Sequence, residues 1–200
     1  MVMETERSGM EWCQVLNLNS EKVVKSQLAS GTDVNKRDRY GNTMLHEVVK
    51  SAPGISLARF LIHSGANVNI ENNAGWTPLH VAVVHGDYEK ARYLLNKGAN
   101  VNATIKEQED DTPLHLAVLN DDGKMARLLL GYGASLDIYG EEGKPLEMAY
   151  RHKSYQVVAA IQEKLHRREV ERLAHQAREP QRIVARKRNF KYPHPSRSYV

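Results

Sequence analysis

Thr77-Pro78-Leu79-His80 returns unchanged as Thr112-Pro113-Leu114-His115, and the two copies begin 35 residues apart. An altered copy, Thr43-Met44-Leu45-His46, lies 34 residues upstream, and a further one reads Lys144-Pro145-Leu146-Glu147. Similarity at this period is the mark of a chain built from stacked supersecondary units, none of which can bury its apolar face alone. The residues around each copy keep register. Ala82, Gly86, Leu94-Leu95, Gly98-Ala99 and Val101-Asn102 follow the second copy; Ala117, Leu128-Leu129-Leu130 and Gly133-Ala134 follow the third; Phe60-Leu61, Gly65-Ala66 and Val68-Asn69 follow the first.

Elementary chemistry explains the order. A threonine hydroxyl caps a helix N-terminus, and proline is tolerated in the first turn, where its missing N–H has no intrahelical partner. The next leucine and the small alanine pack inward, and the alanine lets two short helices come close. Gly86 suits a left-handed turn between helices, and Gly65, Gly98 and Gly133 end the second helix in the same way. The Val-Asn pair then leads an extended loop into the next unit.

This pattern resembles the ankyrin repeat, with its G-x-T-P-L-H-x-A start and G-A-x-V-N about twenty residues later. The resemblance covers Gly41 to Ala149. It implies an all-α solenoid of about five helix-turn-helix repeats with loop connections. A flexible segment over 1–9 is expected first, then an N-terminal cap over 10–40 with helices at Met10–Leu18 and Ser20–Ala29. Internal repeats follow over 41–74, 75–109 and 110–142, with a C-terminal cap over 143–165 and a basic tail over 166–200. Three departures stand out: Ala52-Pro53-Gly54 lengthens one inter-helix turn, the loop from Ala103 to Glu109 is extended, and Asp121 occupies the usual glycine position.

Composition narrows the function. No apolar run approaches the ~20 residues of a membrane span, and Met1 to Met10 is too polar and charged to read as a secretory leader. Cys13 is the sole cysteine, so no internal disulfide forms, which suits a reducing compartment and a cytoplasmic or nuclear protein. Cys13 has no acid-base partner in a recognisable motif, and neither a phosphate-binding glycine loop nor a paired-carboxylate motif occurs, so the expectation is a non-enzyme without cofactor. His46, His80 and His115 recur regularly but lie in different repeats without a second nearby ligand, so no metal is expected. The resemblance makes them structural histidines of the turn.

The fold also implies where a partner binds. In ankyrin stacks the loop tips and the exposed side of the first helices line a concave face. Here that face is expected to present Asn42, Trp76 and Asp111, then Glu47, Lys50 and Ser51, then Val81, Val84 and His85, and finally Leu116, Leu119 and Asn120. Trp76, Val84 and Leu119 are expected to join into one apolar strip, flanked by the acids Glu47 and Asp111 and suited to a protein segment with an apolar ridge and basic edges. The repeats are similar to ankyrin domains of nuclear and chromatin proteins and of NF-κB inhibitors. Val81, Val84 and Leu116 stand where some of the former pair with a histone lysine, which these side chains cannot do. Asn69 and Asn102 sit where ankyrin repeats can be hydroxylated.

Charge is split along the chain. Lys164 to Val200 holds eleven basic residues against Glu169, Glu171 and Glu179, a balance of +8, while the remainder stands at −4. Val157, Val158, Ile161 and Leu165 form one helical stripe that closes the last repeat, Glu163–Arg167 and Arg167–Glu171 support a continuing helix, and Pro180 predicts its stop. Val170, Leu173 and Ala177 lie out of phase with that stripe, which predicts that the helix leaves the stack or breaks. Beyond Pro180, Arg182, Arg186, Lys187, Arg188 and Lys191 form a basic, disorder-prone tail suited to nuclear import, nucleic acid or an anionic surface. The terminal Ser198-Tyr199-Val200 fits a ligand for a PDZ domain. The expected function is an intracellular, monomeric protein-interaction scaffold or adaptor, or alternatively a nuclear regulator that uses the tail.

Overall fold

A computed structural model describes residues 20–51, 55–106 and 110–188. Among the described residues there are nine helices and no strand. They are α1 (Ser20–Ala29), α2 (Met44–Ser51), α3 (Ser56–His63), α4 (Pro78–Val84), α5 (Tyr88–Asn96), α6 (Pro113–Leu119), α7 (Gly123–Gly131), α8 (Pro145–Arg151) and α9 (Tyr155–Arg188). The chain forms two compact units, 1–161 and 162–200.

In the first unit the helices pair as the repeat predicts: α2 with α3, α4 with α5, α6 with α7. The first helices α2, α4, α6 and α8 also pack on one another in a row, more closely than the second helices do. The row of first helices is therefore the tighter one. Its core runs continuously through every repeat, from Val24 through Leu45, Leu79, Leu114 and Met148 to Ile161. Leu28, Phe60 and Trp76 pack on its edge while partly exposed.

Threonine and proline start the helices as expected. Thr77 and Thr112 are extended, with Pro78 and Pro113 opening α4 and α6. Gly65, Gly86, Gly98 and Gly133 all have positive φ, between 63° and 94°, closing the helices in the left-handed conformation. Asp121 takes the place of Gly86 in its repeat at φ 45°, a conformation that costs a non-glycine residue energy. Its carboxylate compensates by accepting the backbone N–H groups of Gln156 (3.0 Å) and Val157 (3.4 Å) in the first turn of α9, where a negative charge is favoured. Two residues on, Gly123 lies so near α9 that an added Cβ would stand 2.7 Å from the Gln156 carbonyl oxygen.

The extended loop before Thr112 folds back on itself. Ile105 and Asp111 form an antiparallel bridge that sinks Ile105 completely into the core. The cap helix expected at Met10–Leu18 and the insert at Ala52-Pro53-Gly54 lie outside the described residues.

The end of the chain departs from expectation. Pro180 does not stop α9, which runs on to Arg188. An interior proline removes one hydrogen bond and crowds the carbonyl four residues earlier, at a cost of about 3 kcal/mol. Good helix formers on both sides, Ala174 to Arg178 and Gln181 to Arg188, oppose that cost. Within 162–188, Leu165, Val170 and Leu173 are exposed, and Arg167–Glu163 and Arg172–Glu169 pair at 3.0 and 2.7 Å.

Candidate protein-interaction surface

The repeated histidine organises the site from beneath. In each internal repeat its Nδ1 accepts the backbone N–H of the threonine three residues earlier at 3.1 Å and the threonine hydroxyl at 2.9 Å. A ring nitrogen that accepts an amide carries no proton, so Nε2 holds it and donates to the next loop. His46 reaches the Trp76 carbonyl (3.0 Å), His80 that of Ala103 (3.1 Å) and His115 that of Gly143 (3.1 Å). One side chain thus caps its own helix and ties down the following repeat.

Burial holds the His46 and His80 imidazoles at a pKa of about 4, against an ordinary 6.5, and burial lowers that of His115 as well. All three are neutral structural groups. Among the described residues, no three His, Cys, Asp or Glu side chains are grouped to hold a metal ion.

Asparagines link the loops. Asn35, Asn69 and Asn102 each donate to the carbonyl of a helix-ending glycine in the next repeat, Gly65, Gly98 and Gly133. Each also accepts a backbone N–H from the residue two beyond that glycine, at 2.8 Å. At the second helices, Lys90 is buried within the fold. Its ammonium meets Asp87 at 2.8 Å and donates to the Val49 carbonyl of the preceding repeat at 3.1 Å. Sequence reasoning missed this cation, whose signal is the Asp-x-x-Lys spacing at the start of α5.

The structure sorts the expected surface residues. Glu47 and Asp111 do not form acidic flanks, for only 5% and 4% of each is exposed. Glu47 accepts from Asn42 at 3.2 Å, and Asn42 in turn accepts from Asn72 at 2.9 Å, so this chain belongs to the joint between two loops. The Asp111 carboxylate accepts the Glu141 N–H at 3.1 Å and ties a later pair of loops in the same manner.

Trp76 does not join Val84 and Leu119 in one strip either. It stands just before α4 and Val84 ends it, eight residues apart, or about 12 Å along a helix. Its ring leans toward His80 at 6.1 Å between centroids and packs on the core. Val81 is partly buried and Leu116 buried, as packing residues.

Val84 and Leu119 keep matching positions in their repeats. They hold the same register at the C-terminal ends of α4 and α6, and Asn120 Nδ2 donates to the Val84 carbonyl at 3.2 Å between them. Their neighbours Val83 and Val118 are fully buried, whereas Val84 is 39% and Leu119 51% exposed. His85 beside them is exposed, with Nδ1 on the Val81 carbonyl at 3.0 Å, closing α4. In the same register the adjoining repeats place Lys50 and Arg151, both exposed. Arg151 is steadied by the Glu142 carbonyl at 2.8 Å and its carboxylate at 3.2 Å. The sequence reading passed over Arg151, although its place in the last turn of α8 matches that of Lys50 in α2. The apolar pair is therefore bordered by cations.

Arg182, Arg186, Lys187 and Arg188 fall on α9. Lys191 and Ser198-Tyr199-Val200 lie outside the described residues.

Two family models match the chain: ankyrin repeats (3 copies) over residues 12–105 and a single ankyrin repeat over residues 109–141. The two spans together take in more than half of the 200 residues, and the chain belongs to the ankyrin-repeat family. Ankyrin repeats imply protein–protein interaction.

Several relatives share the repeats. An ankyrin repeat protein of fowlpox virus (strain NVSL) is 40% identical over 94 residues, covering 46% of this chain and 27% of its own length. Protein phosphatase 1 regulatory subunit 27 of Homo sapiens is 41% identical over 64 residues, 32% of this chain and 41% of that protein. The E3 ubiquitin-protein ligase KEG of Arabidopsis thaliana is 32% identical over 107 residues, 53% of this chain but 6% of the ligase. The chain thus spans less than half the length of each.

Proposed function

We propose that this protein is a non-catalytic scaffold or adaptor that holds a segment of a partner protein against the C-terminal ends of its first helices. The observation that carries this reading is the Val84–Leu119 pair, two exposed apolar side chains in register on helices whose other apolar residues are largely buried. Lys50 and Arg151 border the pair, so the segment it fits has an apolar centre and acidic edges, the reverse of the charge expected from sequence. A relative whose name makes it a regulatory subunit of a phosphatase is in keeping with such a role.

The basic end of the chain favours a second, compatible reading, a nuclear regulator whose tail serves import or contacts nucleic acid. We place the protein in the cytoplasm or nucleus, acting as a monomer.

Pull-down with mass spectrometry from the wild-type chain and from a Val84→Asp/Leu119→Asp variant tests the main reading. The variant is expected to lose the principal partner while its melting temperature stays within a few degrees, since both side chains already meet water. Retention of the same partner at the same yield would overturn it. Localisation with and without Arg182 to Val200 decides the second reading.

A further inference from the structure

The two ends of the face around Val84 and Leu119 differ in sequence before they differ in structure. Two residues before the position that starts each first helix, the first repeat has Gly41, the second Gly75 and the third Asp110, whereas the last has Glu142. The last turn of that helix carries Lys50 in the first repeat and Arg151 in the last. Of these two cations, only Arg151 therefore has an acid at this position of its own repeat.

That acid is held in place. Gly140 and Gly143 form an antiparallel bridge, exchanging hydrogen bonds of 3.0 and 3.1 Å, and His115 also donates to the Gly143 carbonyl at 3.1 Å. Glu142 sits in the turn so formed. Its carbonyl accepts from Arg151 at 2.8 Å, and its carboxylate accepts from His152 at 2.8 Å and Arg151 at 3.2 Å. These bonds, that from His152 foremost, hold the carboxyl below the usual carboxylate range, so it is charged at neutral pH. Lys50 is placed differently. It is exposed and makes no ion pair among the described residues, and Glu47, three residues earlier, is buried and accepts from Asn42. One edge of the apolar pair is thus a single positive charge, and the other is a guanidinium matched by its own carboxylate.

We propose that Glu142 sets the specificity of this face: by neutralising Arg151 it leaves Lys50 as the cation that a partner's acid meets, so the face takes a protein segment with an apolar centre and an acid at the α2 end only. This rests on the reading of Val84 and Leu119 as the partner-binding face, narrows its acidic edges to one, and gives the bound segment a direction. An acid laid against Arg151 has to displace Glu142 or stand beside it, where like charges repel. An acid laid against Lys50 meets no such rival. Because both edges are open to water, each charge acts as a modest preference and the apolar pair supplies the common contact.

Selection from a displayed library of random peptides tests this, run in parallel on the wild-type chain and on its Lys50→Gln, Glu142→Gln and Val84→Asp/Leu119→Asp variants. Wild type is expected to enrich peptides with an apolar centre and Asp or Glu on one side of it. Lys50→Gln is expected to lose that preference, and Glu142→Gln to enrich acids on both sides, with thermal melts unchanged. Fluorescence anisotropy then compares one enriched peptide with a form that carries a second acid on its other side. Lys50→Gln is expected to weaken the first about threefold, and Glu142→Gln to strengthen the second about threefold while leaving the first unchanged. The proposal is overturned, with the reading of the face intact, if wild type enriches acids on both sides or on neither, or if Glu142→Gln selects as wild type does. If no peptide with an apolar centre is enriched, or if those enriched bind Val84→Asp/Leu119→Asp like wild type, the reading of the face falls and the proposal falls with it.

Discussion

Acidification should undo this fold through its repeated histidines. Each one accepts an amide proton at Nδ1 and donates from Nε2, so a second ring proton has no place to go without breaking the threonine contact. The His46 and His80 pKa values of about 4 lie below the 6.5 of an unfolded histidine. The native preference for neutral rings is therefore complete above pH 6.5 and is lost as the pH falls from 6.5 through about 4. At pH 5 the unfolded ring is nearly all charged and the folded ring nearly all neutral, which costs about 2 kcal/mol per histidine. The pair thus removes about 4 kcal/mol, a large part of the ~5–15 kcal/mol typical of a domain. Burial of His115 adds in the same direction.

The assay is urea unfolding followed by circular dichroism at pH 7.5 and pH 5.0. With a slope of ~2 kcal/mol per molar, the midpoint is expected to fall by about 2 M. His80→Asn removes one titrating ring, and its midpoint should fall by only about half as much over the same interval, although the variant begins less stable at pH 7.5. Equal midpoints at the two pH values for the wild type would refute the reasoning. So would an undiminished drop in the variant.

Other outcomes follow from single contacts. Gly123→Ala drives a methyl to 2.7 Å from the Gln156 carbonyl oxygen and is expected to cost about 1–3 kcal/mol by thermal melt. Lys90→Met leaves Asp87 and the Val49 carbonyl without their buried cation and should destabilise by about 1–3 kcal/mol in urea, with the slope unchanged. Trp76→Ala is expected to lower the melting temperature, because the ring packs on the core, whereas Val84→Asp/Leu119→Asp should barely move it. A melt of Trp76→Ala that matches wild type would return that ring to the set of free anchors.

Helix order, caps and left-handed turns were legible in the sequence, because each depends on residues within a few positions of one another. Thr77, Pro78, His80 and Gly86 announce a helix and its turn wherever they occur together. The joints between repeats were less legible. Ile105 reads as a loop residue until the bridge to Asp111 carries it inward. Glu47 and Asp111 read as surface acids because what buries them, the Asn42–Asn72 chain and the Glu141 amide, comes from about 25 to 30 residues away. Trp76 precedes its helix in sequence and structure alike, but only the packed structure shows that the length of α4 separates it from Val84.

The same joints decide the sign of the surface. By formal count the repeats hold more acids than bases, which suggests a partner with basic edges. Yet the acids are drawn into architecture: Asp87 and Asp122 start helices, Asp121 holds the first turn of α9, and Glu47 and Asp111 lie buried at loop joints. A carboxylate suits such posts because its compact oxygens accept from exposed N–H groups at a helix start. Lysine and arginine have only donors and a long flexible stem, so apart from Lys90 the cations on helices α2 to α8 stay exposed. What is left exposed in the register of the apolar pair is Lys50 and Arg151, the latter held by Glu142. Net charge counts both populations alike, whereas a partner meets only the second.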